Sequence, residues 1–148
     1  APKFEKVDLA ELIQSIIKYL QRRVPGVEIR LVFDDSVQYT VNGNKNLVSW
    51  AIENLVKNGI DATKDIAGEI NINLKTEGNK FLIDIIEFGA GIPKRDWKNI
   101  FRPGFSTKKY GWGLGLSLTK RIISDFHKGK IFVKESTIGS GTAISIII

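Results

Sequence analysis

Hydrophobic residues recur with helical spacing in three stretches of the chain and alternate with polar residues in the segments between them. The first helical stretch opens at Asp8 and Glu11, which have the spacing of a capping box. Its apolar positions are Leu9, Leu12, Ile13, Ile16, Ile17 and Leu20. Val-Pro-Gly at 24–26 ends this helix, and the alternation over residues 27–33 predicts a half-buried strand, followed by a short strand over 37–41.

The second helical stretch covers residues 45–63, after a break at 42–44, and is followed by two alternating segments. Its apolar stripe consists of Leu47, Val48, Ala51, Ile52, Leu55, Val56 and Ile60. The alternating segments, 69–75 and 80–86, are joined by Thr-Glu-Gly-Asn, and this arrangement predicts a β-hairpin.

The last third of the chain predicts a short helix near residues 94–100, an irregular run over 101–113, a third long helix, and strands over 130–134 and 142–148. The third helix carries Leu114, Leu118, Ile122 and Phe126 at four-residue spacing. Strand pairs separated by helices predict an α+β fold. We expect a two-layer α/β sandwich with a mixed, mostly antiparallel sheet and the three long helices on one face.

Length and composition predict one domain over residues 1–148. The chain has 148 residues, 43% of them hydrophobic, which suffices for one core. No apolar run could span a bilayer and the N-terminus lacks the apolar segment of a signal peptide, so we expect a cytoplasmic domain without membrane contact. Cysteine is absent and His127 is the only histidine, which excludes thiolate chemistry and metal sites built from cysteine or histidine clusters. The net charge of +6 favours polyanionic ligands.

The polar residues of the second helix are unusual for a solvent-exposed face. Asn54, Asn58 and Asp61 lie at i, i+4 and i+7, on a stripe opposite the apolar one, with Glu53 and Lys57 beside it. Asparagine lowers helix propensity, so an ordinary solvent face would favour Glu, Lys and Gln. Amide and carboxylate oxygens at this spacing suit Mg²⁺, which in turn points to phosphates, and a merely exposed polar face is the alternative.

Two glycine-rich turns are the other candidate binding segments. Over residues 83–93 an apolar strand ends at Glu87, directly before Gly89 and Gly91, where a carboxylate must turn to solvent or find a hydrogen-bond donor. Over residues 111–115 three alternating glycines open the third helix, where backbone N–H groups attract anions. Single glycine motifs are weak signals, and an ordinary turn and a surface loop are the alternatives.

Together these segments resemble the motifs of the catalytic ATP-binding domain of bacterial sensor histidine kinases, which share the Bergerat fold with gyrase, the MutL repair proteins and heat-shock chaperones. Residues 53–62 resemble the N box, 87–93 the first glycine box, 101–105 the phenylalanine box and 111–116 the second glycine box. Gly-Ser-Gly-Thr at 139–142 resembles the last glycine motif. The order and separation of the motifs are more specific than any one of them.

The resemblance implies ATP and Mg²⁺ as cofactors, bound between the second and third long helices. Asn58 would ligate Mg²⁺ and bind the nucleotide, and Asn54 would help to position the ion. Glu53 and Lys57 are assigned to the catalytic group with Asn54, and Lys57 is also a candidate for a phosphate contact. The resemblance therefore places catalysis on the second helix.

The nucleotide would be held by the glycine boxes under a lid over residues 105–113. Glu87 would accept a hydrogen bond from the adenine amino group, with Thr142 assisting through a water. Lys108 is a candidate phosphate contact, and the backbone of Gly113 and Gly115 would cradle the phosphates. The other ATP-binding residues implied are Asp61, Ala62, Gly89, Gly91, Ile92, Phe101, Thr107, Gly111, Leu114 and Leu116.

The implied reaction is transfer of the γ-phosphoryl group of ATP to a histidine of a separate dimerisation domain, expected before Ala1. A response regulator would be the downstream partner, and the parent protein could be anchored in a membrane. We expect a structural role for His127. Because the dimerisation segment with the acceptor histidine is expected before Ala1, the fragment should be monomeric and should not phosphorylate itself. A related serine kinase is a close alternative. Nucleic acid is not expected as a ligand, since no base-reading motif is present.

Four residues depart from the family pattern. Glu87 replaces the usual Asp, Phe88 stands where a small polar residue is common, Gly59 replaces a common Ala, and Ala90 is a milder change. These departures support a further alternative, in which the chain is a natural or engineered variant with impaired nucleotide binding that acts only as a binding module.

Overall fold

The computed structural model describes residues 3–63, 68–105 and 116–148. Its elements, in chain order, are β1 (Glu5–Asp8), α1 (Leu9–Arg23), β2 (Glu28–Val32), β3 (Thr40–Gly43), α2 (Lys45–Ala62), β4 (Glu69–Glu77), β5 (Lys80–Glu87), α3 (Leu116–Lys120), β6 (Lys130–Thr137) and β7 (Gly141–Ile147). None of the helices within these ranges is both long enough and apolar enough to cross a membrane.

The two long helices begin at polar caps. The Asp8 carboxylate accepts a hydrogen bond from the Glu11 backbone N–H at 3.1 Å, as the capping box predicts for α1. At the start of α2, the Asn44 side chain accepts one from the Leu47 N–H at 2.9 Å. Such caps satisfy N–H groups that have no partner within the helix, and they fix where each helix starts.

Five strands form one mixed sheet in the order β2-β4-β5-β7-β6. The β2–β4 pair is parallel, and the β4–β5, β5–β7 and β6–β7 pairs are antiparallel. The predicted hairpin is therefore present as β4–β5. The mixed, mostly antiparallel sheet predicted from the order of elements is confirmed.

The hydrophobic core lies between the helices and one face of this sheet. The core-facing residues of β4 and β5 are Ile70, Ile72, Leu74, Ile83, Ile85 and Glu87. Burying each branched aliphatic side chain contributes about 1.5–3 kcal/mol to folding. Glu87 is thus a carboxylate at the end of an otherwise aliphatic row, and the helix over that end of the sheet is α2.

The two strands that follow the first helix do not pair with each other. The strand expected over 37–41 lies at Thr40–Gly43, and it pairs antiparallel with β1, an element that the sequence pattern did not indicate. Strand β2 pairs instead with β4, in the parallel direction. Both pairings join residues distant in sequence, so local alternation could not identify them.

The segments expected as a short helix and a third long helix are less regular than predicted. Two 3₁₀ turns, Lys94–Asp96 and Asn99–Phe101, replace the helix near 94–100. The described part of the third helix starts as α-helix in α3 and continues as a π-helix over Arg121–Phe126. The expected start at Leu114 lies outside the described residues.

His127 joins three elements at the end of that π-helix. Its Nε2 accepts a hydrogen bond from the Asn44 backbone N–H at 3.0 Å, while its Nδ1 lies 2.7 Å from the Ile122 carbonyl oxygen. The ring stacks on Phe4, with 5.0 Å between ring centroids. A neutral ring with its proton on Nδ1 satisfies both hydrogen bonds, and this arrangement fits the structural role expected for His127.

Candidate functional site

The polar stripe of α2 runs from solvent into the interior, which corrects the prediction that it lies opposite the apolar face. Asp61 is exposed and Asn54 is half-buried, but Asn58 is only 4% exposed. The reason is that α2 packs on the sheet with one side and against α3 with another, so both edges of its apolar stripe are covered. A buried carboxamide must have hydrogen-bond or metal partners, which favours a role for Asn58 beyond solvation.

Asn54 faces α3 and contacts it through a hydrogen bond. Its Nδ2 donates to Oγ1 of Thr119 at 3.0 Å, and Thr119 is fully buried. The sequence argument missed Thr119. In the sequence, Thr119 is a hydroxyl residue on the apolar stripe of the third helix, at helical spacing from Leu116, Ile122 and Ile123.

Glu53 and Lys57 lie at the outer edge of the site. The Lys57 ammonium is 3.5 Å from a Glu53 carboxylate oxygen, one helical turn away, and the Lys57 side chain is largely in solvent. An exposed pair of this kind contributes about 0–1 kcal/mol. Lys57 can therefore leave Glu53 for another anion at little cost.

Glu87 ends β5 in a buried position. It is 1% exposed, and its Oε2 accepts a hydrogen bond from the Gly89 backbone N–H at 2.6 Å. Its Oε1 is buried and has no hydrogen-bond partner among the described residues. Burial raises the pKa of Glu87 above its usual range, and the hydrogen bond from the Gly89 N–H, together with the nearby Thr142, opposes that rise. The unsatisfied Oε1 is an acceptor that a donor from a ligand would complete.

The turn after Glu87 requires glycine at two positions. A Cβ on Gly89 would lie 2.3 Å from the Ala62 carbonyl oxygen and 2.5 Å from Glu87 Oε2. Gly91 has a φ of +83°, and a Cβ there would lie 2.4 Å from the Thr137 carbonyl oxygen. The turn is thereby pressed against both the end of α2 and the β6–β7 hairpin.

A hydroxyl pair on that hairpin fixes the turn from the other side. Ser136 Oγ accepts a hydrogen bond from the Ile92 N–H at 2.7 Å and lies 2.8 Å from Thr142 Oγ1. Thr142 stands opposite Glu87 in the β5–β7 register. Ser136 was not predicted, because a serine on a short strand carries no distinguishing local signal. Together the two hydroxyls connect the glycine turn to the carboxylate that precedes it.

Gly59 lies on the α2 face that covers Glu87. A Cβ at Gly59 would be 3.2 Å from Ile70 Cδ1 and 3.9 Å from Glu87 Cβ. A side chain here would therefore crowd Ile70 and make only an ordinary contact with Glu87, and glycine avoids that crowding at a cost to helix propensity of about 1 kcal/mol. Phe88, in contrast, points outward and is exposed.

The remaining predicted site residues fall into two groups. Ile92, Phe101 and Leu116 are buried in the core, and Ile92 is held by a 2.9 Å hydrogen bond from the Trp97 indole to its carbonyl oxygen. Predicted residues outside the described ranges are Thr107, Lys108, Gly111, Gly113, Leu114 and Gly115.

Comparison with known proteins identifies the family. Residues 43–148 match the family described as Histidine kinase-, DNA gyrase B-, and HSP90-like ATPase. The chain belongs to this family. The match includes α2, the Glu87 turn and the β6–β7 hairpin, so it covers the described parts of the site.

Individual relatives of this ATPase domain are sensor kinases. Sporulation kinase C of Bacillus subtilis (strain 168) is 27% identical over 147 residues, which cover 98% of this chain and 34% of that kinase. The nucleotide-free catalytic domain of histidine kinase ThkA superposes with a TM-score of 0.86 at 28% identity, covering 99% of this chain and 95% of that domain. ThkA in complex with response regulator protein TrrA gives 0.83 at 26% identity, covering 98% and 41%. These matches confirm the predicted resemblance and the fold class.

The chain covers about a third of the length of sporulation kinase C. Its homologues are sensor histidine kinases, and its architecture is that of their catalytic domains. Glu87 and Gly59, two of the departures from the family pattern, lie next to each other across the α2–β5 contact.

Proposed function

We propose that the chain binds Mg²⁺-ATP and, within its parent protein, transfers the γ-phosphoryl group to a histidine of a separate dimerisation domain. The observation that carries this proposal is Glu87, a buried carboxylate with one satisfied oxygen and one unsatisfied oxygen in a glycine-lined turn. The family supports it, since the family is defined as an ATPase.

Glu87 would read the base through its unsatisfied oxygen. The exocyclic amino group of adenine donates a hydrogen bond, which is what Oε1 lacks. Guanine carries a carbonyl oxygen at the equivalent ring position and would place an acceptor against an acceptor. A buried polar group left unpaired disfavours the wrong ligand strongly, so ATP and ADP should bind and GTP should not.

Asn58 and Asn54 fit Mg²⁺, because carboxamide oxygens are hard ligands and the two side chains lie one turn apart on α2. When bound, the ion would neutralise phosphate charge and orient the γ-phosphoryl group. Lys57, held only by a solvent-exposed ion pair, is available to contact a phosphate. Asp61, Ala62 and Glu53 complete the proposed rim on α2.

The histidine-bearing domain would dock beside α3. Leu118 and Phe132 are exposed there and line one groove together with Lys120 and Arg121. Leu118 directly precedes Thr119, whose hydroxyl contacts Asn54, so a partner in this groove would be close to the proposed metal-binding helix. The complex of ThkA with TrrA supports a response regulator as the downstream partner.

Calorimetric titration with ATP, ADP and GTP, each with and without Mg²⁺, tests the proposal. We expect ATP and ADP to bind more tightly with Mg²⁺ and GTP to bind at least tenfold more weakly than ATP. The matched control is Phe88→Ser, which alters an exposed residue of the same turn without touching Oε1. Absence of binding heat at millimolar nucleotide would contradict the proposal. Binding without phosphotransfer to an added histidine-bearing domain would instead favour a module that has lost catalysis.

A further inference from the structure

A buried hydroxyl on α3 contacts the helix that carries the proposed metal ligands. Thr119 is fully buried, and its Oγ1 accepts the 3.0 Å hydrogen bond from Asn54 Nδ2. Threonine is a weaker helix former than leucine or alanine, and an apolar residue would suit a buried position equally well. The contact with Asn54 gives this buried hydroxyl a polar partner, which a packing role alone would not need.

In this contact the Asn54 nitrogen lies against Thr119, and the carboxamide oxygen faces away from it. The nitrogen and oxygen of an amide diverge in one plane, so fixing Nδ2 on Thr119 directs Oδ1 elsewhere. Only the oxygen can ligate a hard cation. Among the described residues no hydrogen bond is made to Oδ1, and the half-buried position of Asn54 keeps the side chain partly accessible.

We propose that Thr119 is a positioning residue for metal-dependent nucleotide binding, which acts by orienting the carboxamide of Asn54. The inference rests on the proposed function. Without the hydroxyl, the Asn54 side chain can rotate and present either atom, so part of the binding free energy would be lost to ordering it. Thr119 follows Leu116, the last residue of the second glycine box, by three positions, so the contact joins α2 to the helix that begins at the end of that motif.

The test compares Thr119→Val with Thr119→Ser. Valine has nearly the same shape without the hydroxyl, whereas serine keeps the oxygen. The quantity measured is the ratio of ATP affinity in Mg²⁺ to ATP affinity in EDTA. We expect Thr119→Val to lower this ratio about tenfold while leaving the affinity in EDTA unchanged, and Thr119→Ser to retain the ratio.

Two further variants separate positioning from stability. Ser145→Ala removes another fully buried hydroxyl, one that donates to Asp84 on the opposite face of the sheet, and should lower the melting temperature without changing the ratio. In an Asn54→Ala background, Thr119→Val should produce no additional loss, because the two residues act as a unit. Thr119→Ala removes the same oxygen without adding a methyl group and replaces the valine variant if that one does not fold.

An unchanged ratio in the hydroxyl-free variant would overturn the inference and leave the proposed function intact. Equal losses in Mg²⁺ and in EDTA, or additive losses with Asn54→Ala, would also overturn it, since they indicate a structural role only. Absence of nucleotide affinity in the unsubstituted chain would overturn the inference and the proposed function together.

Discussion

Two buried carboxylates on β5, Asp84 and Glu87, differ in how completely they are hydrogen-bonded. Asp84 is satisfied on both oxygens, because Oδ1 accepts a hydrogen bond from Ser145 Oγ and Oδ2 lies 3.0 Å from the Lys134 ammonium. Glu87, three residues later, has one oxygen on the Gly89 N–H and the other without a partner among the described residues. Within the described residues the first acid has partners on both oxygens, and the second keeps one oxygen that a donor from a ligand would satisfy. Burial of an acid therefore indicates function only when its hydrogen bonds have been counted.

The largest expected effect distinguishes the two acids by ligand affinity. Glu87→Gln places an amide nitrogen against either the Gly89 N–H or the adenine amino group, so one donor must face another. We expect ATP affinity to fall about a hundredfold, on the order of 3 kcal/mol. Because the substitution removes a buried charge, the melting temperature without nucleotide should rise. Calorimetry and thermal denaturation measure the two quantities.

A loss of both affinity and stability in Glu87→Gln would show that Glu87 is structural like Asp84, and the comparison would fail. Glu87→Asp serves as the matched control, because it keeps the charge and shortens the side chain by one methylene group. It tests separately whether the length of the acidic side chain affects ATP affinity.

The next largest effect is expected for Asp84, the acid whose two oxygens are both paired. Asp84→Ala leaves the fully buried Ser145 hydroxyl without its acceptor and creates a small cavity. We expect a loss of about 2–3 kcal/mol in the free energy of unfolding, a decrease in melting temperature of roughly 5–10 °C, and no change in nucleotide affinity at temperatures where the variant is folded. Chemical denaturation measures the first. A selective loss of ATP binding would contradict the assignment of Asp84 to structure.

The smallest effect is a decrease in stability with rising pH that Glu87 should produce. Burial raises its pKa in the folded state above the ordinary value, so between the two values the folded chain holds a proton that the unfolded chain has lost. Stability from this group is thus fully present below the ordinary pKa and decreases as pH rises through the raised one. Denaturation at a series of pH values should show this decrease in the unsubstituted chain and not in Glu87→Gln. Identical pH profiles for the unsubstituted chain and Glu87→Gln would contradict the assignment of this pH dependence to Glu87.

The sequence predicted those parts of the molecule that depend on local pattern. The capping box of α1, the range of α2, the β4–β5 hairpin and the glycine turn after Glu87 follow from residues close together in the chain. The family motifs also indicated which of these segments bind ligand, and the family match confirms the resemblance.

The features that were missed depend on contacts between distant residues. The β1–β3 pair, the parallel β2–β4 pair and the burial of Asn58 arise only when separate elements pack together. Thr119 and Ser136 are ordinary hydroxyl residues in sequence, and their importance comes from the partners that α2 and the glycine turn bring to them. No local signal distinguishes a hydroxyl with such a partner from one without.

The pairing of Asp84 with Ser145 also specifies the alignment of β5 with β7. A slip by two residues would keep every side chain on its own face of the sheet, but it would place Ala143 or Ile147 opposite Asp84 and leave the carboxylate without its hydroxyl. The same slip would move Thr142 away from Glu87. The pairing of Asp84 therefore selects the strand alignment that also places Thr142 opposite Glu87, the acid proposed to bind the nucleotide.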